Sequence, residues 1–147
     1  MGAAPPSPRF TCISLPTLKL LISAGEASGD LHGARLLVAL RRKRPDLEAF
    51  GMGASRLRAA GLETIAPSES VAVVGISEVF EKLPAVFRAL GALVRRASRE
   101  KPDAAVLIDF PDFHALLARR LDRIGIPLVY YVSPQVWAWR KGVLTWR

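Results

Sequence analysis

The chain has 147 residues, of which 50% are hydrophobic, and it carries a formal net charge of +8 at pH 7. This length and composition suit one folded domain with one core, and they exclude a disordered chain. The single cysteine, Cys12, excludes an internal disulfide and a Cys/His zinc cluster, and it favours a reducing compartment. No stretch reaches the roughly 18 uncharged apolar residues that a membrane span needs.

The positive charge points to an anionic partner, either nucleic acid, a phosphorylated substrate or an anionic lipid surface. The densest basic cluster, residues 41–44, lies at the end of a predicted helix just before Pro45, where the helix dipole favours cations. Nucleic-acid binding needs basic residues interleaved with exposed aromatic residues, or a recognisable reading helix. The sequence shows neither, so we predict no nucleic-acid partner.

Residues 1–17 are predicted to form a disordered leader, because residues 1–16 contain four prolines and lack the continuous apolar region of a signal peptide. From residue 18 onward, apolar runs alternate with helical patterns. The predicted strands are 18–24, 48–51, 63–65, 104–108 and 127–132, and the predicted helices are 30–44, 55–60, a long helix within 77–99, and 113–124. Such alternation is typical of parallel βαβ units. The predicted fold class is α/β, a Rossmann-like parallel sheet with helices on both faces over residues 18–147.

The first candidate loop, residues 23–30, leads from the first strand into the first helix. Free backbone N–H groups and the helix dipole favour an anion at this turn. The loop matches neither the G-x-G-x-x-G pattern nor a P-loop, so dinucleotide binding in its usual form is not expected. A purely structural alternative is that Gly25 and Gly29 permit a tight turn while Ser28 caps the helix.

Two carboxylates mark the second candidate loop, residues 108–113. Asp112 directly precedes a helix and is predicted to be its N-cap. Asp109 ends a buried strand, where a carboxylate is costly unless it is hydrogen-bonded or solvated in a site, so we assign the acid or base chemistry to Asp109. His114 could reach the same cleft, although a lone histidine at such a position is more often a packed surface residue.

The third candidate loop follows the last strand and includes Gln135, Trp137 and Arg140. Ligands of open α/β sheets bind at the carboxyl ends of strands, and this loop is predicted to lie there. The planar guanidinium of Arg140 suits phosphate or pyrophosphate. The alternatives are that the tryptophans of this loop fill a core and that Arg140 is simply solvated.

The long helix predicted within residues 77–99 has an apolar face and a basic face. Packing of the apolar face into the core is the simpler interpretation, and contact with an anionic membrane surface is the alternative. The apolar face comprises Ile76, Val79, Phe80, Leu83, Val86, Phe87, Leu90 and Val94, and the basic face comprises Arg88, Arg95, Arg96 and Arg99.

Four ordered segments resemble the lipid-A-disaccharide synthase family of bacterial glycosyltransferases. They are residues 23–30 (SAGEASGD), 74–79 (VGISEV), 108–113 (IDFPDF) and 131–140 (YVSPQVWAWR). The resemblance implies the amino-terminal, acceptor-side half of a two-domain GT-B fold. It implies a reaction that joins UDP-2,3-diacylglucosamine to 2,3-diacylglucosamine 1-phosphate and gives lipid A disaccharide and UDP. It also implies no metal or redox cofactor, and a cytoplasmic location with the anionic inner membrane surface as an alternative partner.

The resemblance supports Asp109 as the predicted catalytic base. It implies substrate-binding roles for the matching residues of the three loops, Gly25, Glu26, Ser28, Gly29, Gln135, Trp137 and Arg140. Three positions depart from the family pattern and bear on the shape of the pocket: Phe110 stands where a small residue is usual, His114 where Asn is common, and Val74 where Met is common.

The chain ends at Arg147, before the carboxyl-terminal domain that supplies most of the UDP-sugar site in this family. We therefore expect the donor domain to be absent and this fragment alone to be inactive. The rival hypothesis is a non-catalytic, truncated acceptor-binding or nucleotide-binding α/β module. A downstream reading frame that encodes a second βα domain would favour the enzyme.

Overall fold

The computed structural model describes residues 16–68 and 79–131, with the side chains of all of these except residues 79–82. The elements alternate along the chain: β1 (Lys19–Ala24), α1 (Ala27–Lys43), β2 (Glu48–Gly53), α2 (Ser55–Ala59), β3 (Glu63–Pro67), α3 (Val79–Glu100), β4 (Ala104–Ile108), α4 (Pro111–Arg123) and β5 (Leu128–Tyr130). Each predicted strand and helix is present, with small shifts at most ends. The predicted end of the last strand, Val132, lies outside the described residues.

The five described strands form one parallel sheet in the order β3-β2-β1-β4-β5. The chain therefore starts in the middle of the sheet at β1, adds β2 and β3 on one side, and then returns to add β4 and β5 on the other. This doubly wound order confirms the predicted Rossmann-like α/β fold.

Both faces of the sheet are covered by helices. Alternate residues of β1 point to opposite faces, as the pleat of a strand requires. Leu20 and Ile22 face α1 and α2, where Leu37 and Leu57 complete one core. The other face packs against α3 and α4 and includes Leu21, Phe50, Met52, Leu93, Leu117 and Leu121. Burial on both faces explains why the strands are near-continuous apolar runs.

The carboxyl-terminal half of α3 packs into this second core. Leu90 is buried, and Val86 and Val94 pack against the same cluster, which confirms the core interpretation for this part of the helix. Phe87 is 54% exposed, so its predicted place on the buried face is wrong. Successive residues of a helix are rotated by about 100°. Phe87 therefore lies outside the core-facing side of the helix on which Val86 packs.

Ion pairs at the amino edge of the sheet hold α3 in place. The Arg96 guanidinium lies 5.6 Å from the centroid of the Phe50 ring, and its Nη2 donates to both carboxylate oxygens of Glu63 at 2.9 and 3.0 Å. Arg96 therefore belongs to the packed flank of α3, and the predicted solvent-facing basic face does not include it. Lys19 Nζ donates to Glu100 at 2.9 Å, and this hydrogen bond holds the pKa of Glu100 below its usual value.

The first turn of α1 begins earlier than predicted. Glu26 is the N-cap residue and makes no side-chain capping hydrogen bond. Ser28 lies inside the first turn, so the alternative in which Ser28 caps this helix is wrong.

The start of α4 also differs from the prediction. Phe110 is the N-cap residue and Pro111 is the first helical residue, a position that suits the fixed φ of proline. Asp112 is therefore not the N-cap. It lies one residue further into the first turn, where the helix dipole favours a carboxylate.

A buried carboxylate on α1 caps the short helix α2. The N-cap residue of α2, Ala54, has no side-chain oxygen to accept a hydrogen bond. Asp30, which is 3% exposed, accepts hydrogen bonds from the backbone N–H groups of Ala54, Arg56 and Leu57 at 2.7, 3.0 and 3.2 Å. This single side chain satisfies the first turn of α2 and ties the β2–α2 connection to α1.

Replacing Asp30 by Ala should lower the free energy of unfolding by about 2–4 kcal/mol, because three backbone N–H groups lose their shared acceptor. Asp30→Asn should lower the free energy of unfolding by less, since the amide oxygen of Asn can still accept a hydrogen bond. Urea unfolding at pH 7, followed by circular dichroism, measures both effects. Asp46→Ala is the control, because Asp46 is an exposed acid whose partner is Arg44, and its loss should change stability little. Equal stability of the Asp30→Ala and Asp46→Ala variants would contradict the capping role.

Candidate functional site

The loops that leave β1 and β4 diverge at the carboxyl edge of the sheet. β1 continues into α1 and then to β2 on one side, whereas β4 continues into α4 and then to β5 on the other. A reversal of strand order of this kind opens a crevice between the two loops, and ligands of open α/β sheets bind in it. The predicted loops 23–30 and 108–113 both lie at this crevice.

Asp109 stands at the end of β4 in a conformation that is uncommon for a residue with a side chain, with φ at 45°. It is half-buried. Its Oδ2 accepts a hydrogen bond of 2.8 Å from the hydroxyl of Ser28 in the first turn of α1. Left-handed backbone conformations of residues other than glycine cost free energy and concentrate at functional sites. The structure therefore joins two predicted site residues that are 81 positions apart in the chain.

Gly25 and Gly29 allow the first turn of α1 to approach the β4–α4 loop closely. A Cβ atom on Gly29 would lie 3.1 Å from the carbonyl oxygen of Ile108 and 3.5 Å from Cβ of Asp109. A Cβ atom on Gly25 would collide with the ring of Phe110. Both glycines are buried. The structure thus shows close packing at both glycines, which differs from the tight-turn alternative, and their substrate-binding roles stay predictions.

His114 is buried beneath the crevice, so its predicted place among packed surface residues is wrong. Its Nε2 lies 2.9 Å from Oγ of Ser23, a fully buried residue of β1. The rings of Phe110 and Phe113 pack against the imidazole at 6.0 and 5.9 Å between centroids. Burial lowers the pKa of His114 to about 3, so the ring is neutral at pH 7. Of the three positions that depart from the family pattern, Phe110 and His114 are thus in direct contact, and Val74 lies outside the described residues.

The outer rim of the crevice is formed by α1 and the end of β5. His32 on α1 meets Tyr131 edge to face, with 6.5 Å between ring centroids. The backbone N–H of Tyr131 donates to the carbonyl oxygen of Leu107 at 3.0 Å, which extends the β4–β5 pairing by one residue. Glu26 is exposed at the start of α1. The rim therefore presents a carboxylate, an imidazole and a phenol.

Three predicted substrate-binding residues, Gln135, Trp137 and Arg140, lie outside the described residues, so their roles stay predictions. The sequence analysis missed Ser23 and His32. A serine inside an otherwise apolar strand was an available signal for Ser23. No local pattern indicated that His32 would meet the end of β5, because that contact depends on the tertiary fold.

Within residues 16–68 and 79–131, no group of three or more His, Cys, Asp or Glu side chains is arranged to hold a metal ion. Over the same part of the chain, no helix combines the length and the apolar character needed to cross a bilayer. The polar side chains that the structure places around the crevice include a carboxylate, a hydroxyl and an imidazole, those of Asp109, Ser28 and His32.

The fold and the crevice define a Rossmann-like α/β domain with a carboxylate and a hydroxyl paired at its ligand-binding edge. Residues 20–144 match the family model described as lipid-A-disaccharide synthetase. The lipid-A-disaccharide synthase of Koribacter versatilis is 60% identical over 126 residues, which cover 85% of this chain and 33% of the relative. The enzyme of the same name from Anaeromyxobacter dehalogenans is 52% identical over 136 residues, which cover 92% of this chain and 34% of the relative.

The chain belongs to the lipid-A-disaccharide synthase family, whose members are glycosyltransferases, as its resemblance predicted. A further relative from Myxococcus xanthus, also named lipid-A-disaccharide synthase, is 49% identical over 124 residues, which cover 84% of this chain and 32% of the relative. The chain spans about a third of the length of the curated relatives that it matches.

Burial of His114 should make the protein less stable in mild acid. The pKa is 6.5 in the unfolded chain and about 3 in the folded protein, so between these values the unfolded state binds a proton that the folded state does not. Stability is fully present above pH 6.5 and falls as the pH drops toward 3, by about 2 kcal/mol at pH 5. Urea unfolding at pH 7 and pH 5 measures this difference.

Two variants isolate the contribution of His114 to this pH dependence. His114→Leu should remove the part of the pH dependence that comes from His114. Ser23→Ala should retain it, because burial of the ring is the cause of the low pKa and the bond to Ser23 is not. An unchanged pH dependence in the His114→Leu variant would show that other groups cause the acid sensitivity.

Proposed function

We propose that this chain forms the acceptor-side part of a glycosyltransferase that joins UDP-2,3-diacylglucosamine to 2,3-diacylglucosamine 1-phosphate. The products would be lipid A disaccharide and UDP. The observation that carries the proposal is the position of Asp109, a carboxylate at the strand-order reversal, in a left-handed conformation and hydrogen-bonded to α1. Family membership supplies the reaction class, and the crevice supplies a place for the acceptor.

In the proposed mechanism, Asp109 is the general base. The 6-hydroxyl oxygen of the acceptor attacks the anomeric carbon of the donor sugar and forms the new bond. The bond between that carbon and the UDP oxygen breaks with inversion, and the hydroxyl proton passes to the Asp109 carboxylate. A base must lie within hydrogen-bond reach of the proton that it takes, and the partial exposure of Asp109 supports its access to an acceptor hydroxyl.

The other proposed contacts surround this carboxylate. We assign polar contacts with the substrate to the exposed Glu26 and to the backbone N–H groups of the first turn of α1, which have no acceptor within the helix. Gln135, Trp137 and Arg140 would close the crevice from the segment after β5. The proposed steps, one nucleophilic displacement and one proton transfer, involve no change of oxidation state, so they need no redox cofactor, and the absence of a metal is an expectation from the family resemblance.

A glycosyltransferase must hold donor and acceptor together, and much of its rate comes from that positioning. We propose that residues 18–147 form the acceptor-side domain and that the donor site belongs to the part of the relatives that this chain does not span. The chain alone would then show no disaccharide synthesis above background. The acceptor site would become active when this chain is joined to the remaining two-thirds of a relative.

A chimera tests this proposal directly. Residues 20–144 would replace the matching segment of the Koribacter versatilis enzyme, which is 60% identical over 126 residues. The chimera should make disaccharide and UDP, whereas the 147-residue chain should not. In the chimera, Asp109→Asn should lower turnover roughly 10²- to 10⁴-fold, the range for a lost general base.

Asp112→Asn is the matched control for Asp109→Asn. Both variants remove one carboxylate from the same loop, but Asp112 is exposed in the first turn of α4, where a carboxylate is favoured by the helix dipole. Its loss should have a much smaller effect on turnover. Near-normal turnover of the Asp109→Asn chimera would remove Asp109 from the mechanism.

We also propose that α3 contacts the cytoplasmic, anionic surface of the inner membrane, where acylated substrates reside. Phe87 is 54% exposed on α3, and Arg88 and Arg95 are exposed on the same helix. An exposed aromatic ring beside basic side chains is typical of an interfacial helix. Val86, Leu90 and Val94 of the apolar face pack in the core, so the proposed contact would use the exposed side of the helix around Phe87.

Sedimentation with anionic phospholipid vesicles tests the membrane contact. The chain should sediment with the vesicles at low salt and less at high salt, because the attraction is partly electrostatic. Phe87→Ser should weaken sedimentation. Leu116→Ser should not, since Leu116 is an exposed apolar residue on α4. If the chain stays in the supernatant at low salt, the membrane proposal is wrong.

A further inference from the structure

We propose that Ser28 is a positioning residue for Asp109, and that it acts on the reaction through the carboxylate. This inference rests on the proposed function, in which Asp109 is the general base. The hydroxyl of Ser28 donates to Oδ2 of Asp109 at 2.8 Å. No other hydrogen bond from the described residues reaches this carboxylate, so Oδ1 is left to accept the proton of the acceptor hydroxyl.

The chemistry of a hydroxyl group argues against direct phosphate binding by Ser28. A serine hydroxyl has one proton to donate, and here that proton goes to Asp109. A phosphate group that carries no proton can only accept hydrogen bonds. Ser28 therefore cannot donate to such a phosphate while it donates to Asp109, and we assign it the positioning role in place of phosphate binding.

The backbone that directly follows Ser28 is held at two points. The next residue, Gly29, packs against the carbonyl oxygen of Ile108 and against Asp109 itself. The residue after that, Asp30, is buried and bonded to three backbone N–H groups at the start of α2. The first turn of α1 is thus fixed relative to both the end of β4 and α2, which keeps the Ser28 side chain within reach of the carboxylate.

The backbone of Asp109 does not by itself fix the orientation of its carboxylate. Its left-handed φ of 45° places the side chain at the edge of the sheet, but rotation about its side-chain bonds stays possible. A hydrogen bond to one carboxylate oxygen limits that rotation and pre-orients the other oxygen. Loss of such positioning lowers the rate at which a bound substrate reacts, and it affects substrate binding much less.

Steady-state kinetics of the chimera described above test the inference with three variants. Ser28→Ala should lower kcat roughly 10- to 100-fold, with KM for the acceptor changed by no more than about twofold. Ser28→Thr should restore most of the loss, because it returns the hydroxyl. Ser98→Ala is the matched control: it removes a serine hydroxyl from the exposed end of α3, where the bond goes to the carbonyl oxygen of Val94, and it should leave both constants unchanged.

The Asp109→Asn background separates positioning from a direct role. If Ser28 acts through the carboxylate, Ser28→Ala should cause no further fall in kcat once Asp109 is Asn. A further fall of the same size as in the parent, or a rise in KM with kcat unchanged, would overturn the inference and place Ser28 on the substrate. If Asp109→Asn lowers turnover and Ser28→Ala does not, only this inference fails. If Asp109→Asn keeps full turnover, the proposed base and this inference both fail.

Discussion

The close contact between the first turn of α1 and the end of β4 determines the shape of the crevice. Gly29 packs beside the carbonyl oxygen of Ile108, and Gly33, one turn further along, packs against Ile108 and Leu57. Gly25 adds the contact with Phe110. Gly29 and Gly33 are four residues apart and fall on one face of α1, which lets the helix backbone approach the sheet, whereas Gly25 lies in the turn before the helix. A side chain on this face would push α1 outward and separate Ser28 from Asp109.

The buried polar groups around the crevice are stabilised in different ways. Asp30 meets three backbone donors, so burial of its carboxylate is offset by hydrogen bonds. His114 has one partner, Ser23, and it avoids the cost of a buried charge because its ring stays neutral. Asp109 is only half-buried, and among the described residues its carboxylate accepts a hydrogen bond from Ser28 alone. This difference in burial and hydrogen bonding distinguishes the candidate catalytic carboxylate of Asp109 from the buried polar groups near it.

The order of strands and helices could be predicted from the sequence because apolar runs and helical patterns are local. β4 was predicted at its observed bounds, Ala104–Ile108, since its apolar run ends at a carboxylate. Helix starts were less predictable. Aspartate is a good N-cap in general, which favoured Asp112, but Pro111 fits the first helical position and moves the start of α4 earlier.

The contacts of the site could not be predicted in the same way. Asp109 was predicted to be the site residue because a carboxylate at the end of a buried strand is costly unless it is hydrogen-bonded or solvated in a site. Its bond to Ser28 spans 81 positions and exists only because β1 and β4 are neighbours in the sheet. The cap that Asp30 provides to α2 and the bond between His114 and Ser23 are long-range for the same reason. Sequence patterns thus indicated which loops matter, and the strand order determined which of their side chains meet.

We propose that the acceptor binds in the crevice between the β1–α1 and β4–α4 loops. Titration of the isotopically labelled 147-residue chain with a short-chain analogue of 2,3-diacylglucosamine 1-phosphate, followed by NMR, tests this claim even when binding is weak. We predict that the backbone amide signals of Gly25, Ser28 and Asp109 shift as the analogue is added. Shifts confined to the opposite edge of the sheet, around Lys19 and Arg96, with none at the crevice, would contradict the account.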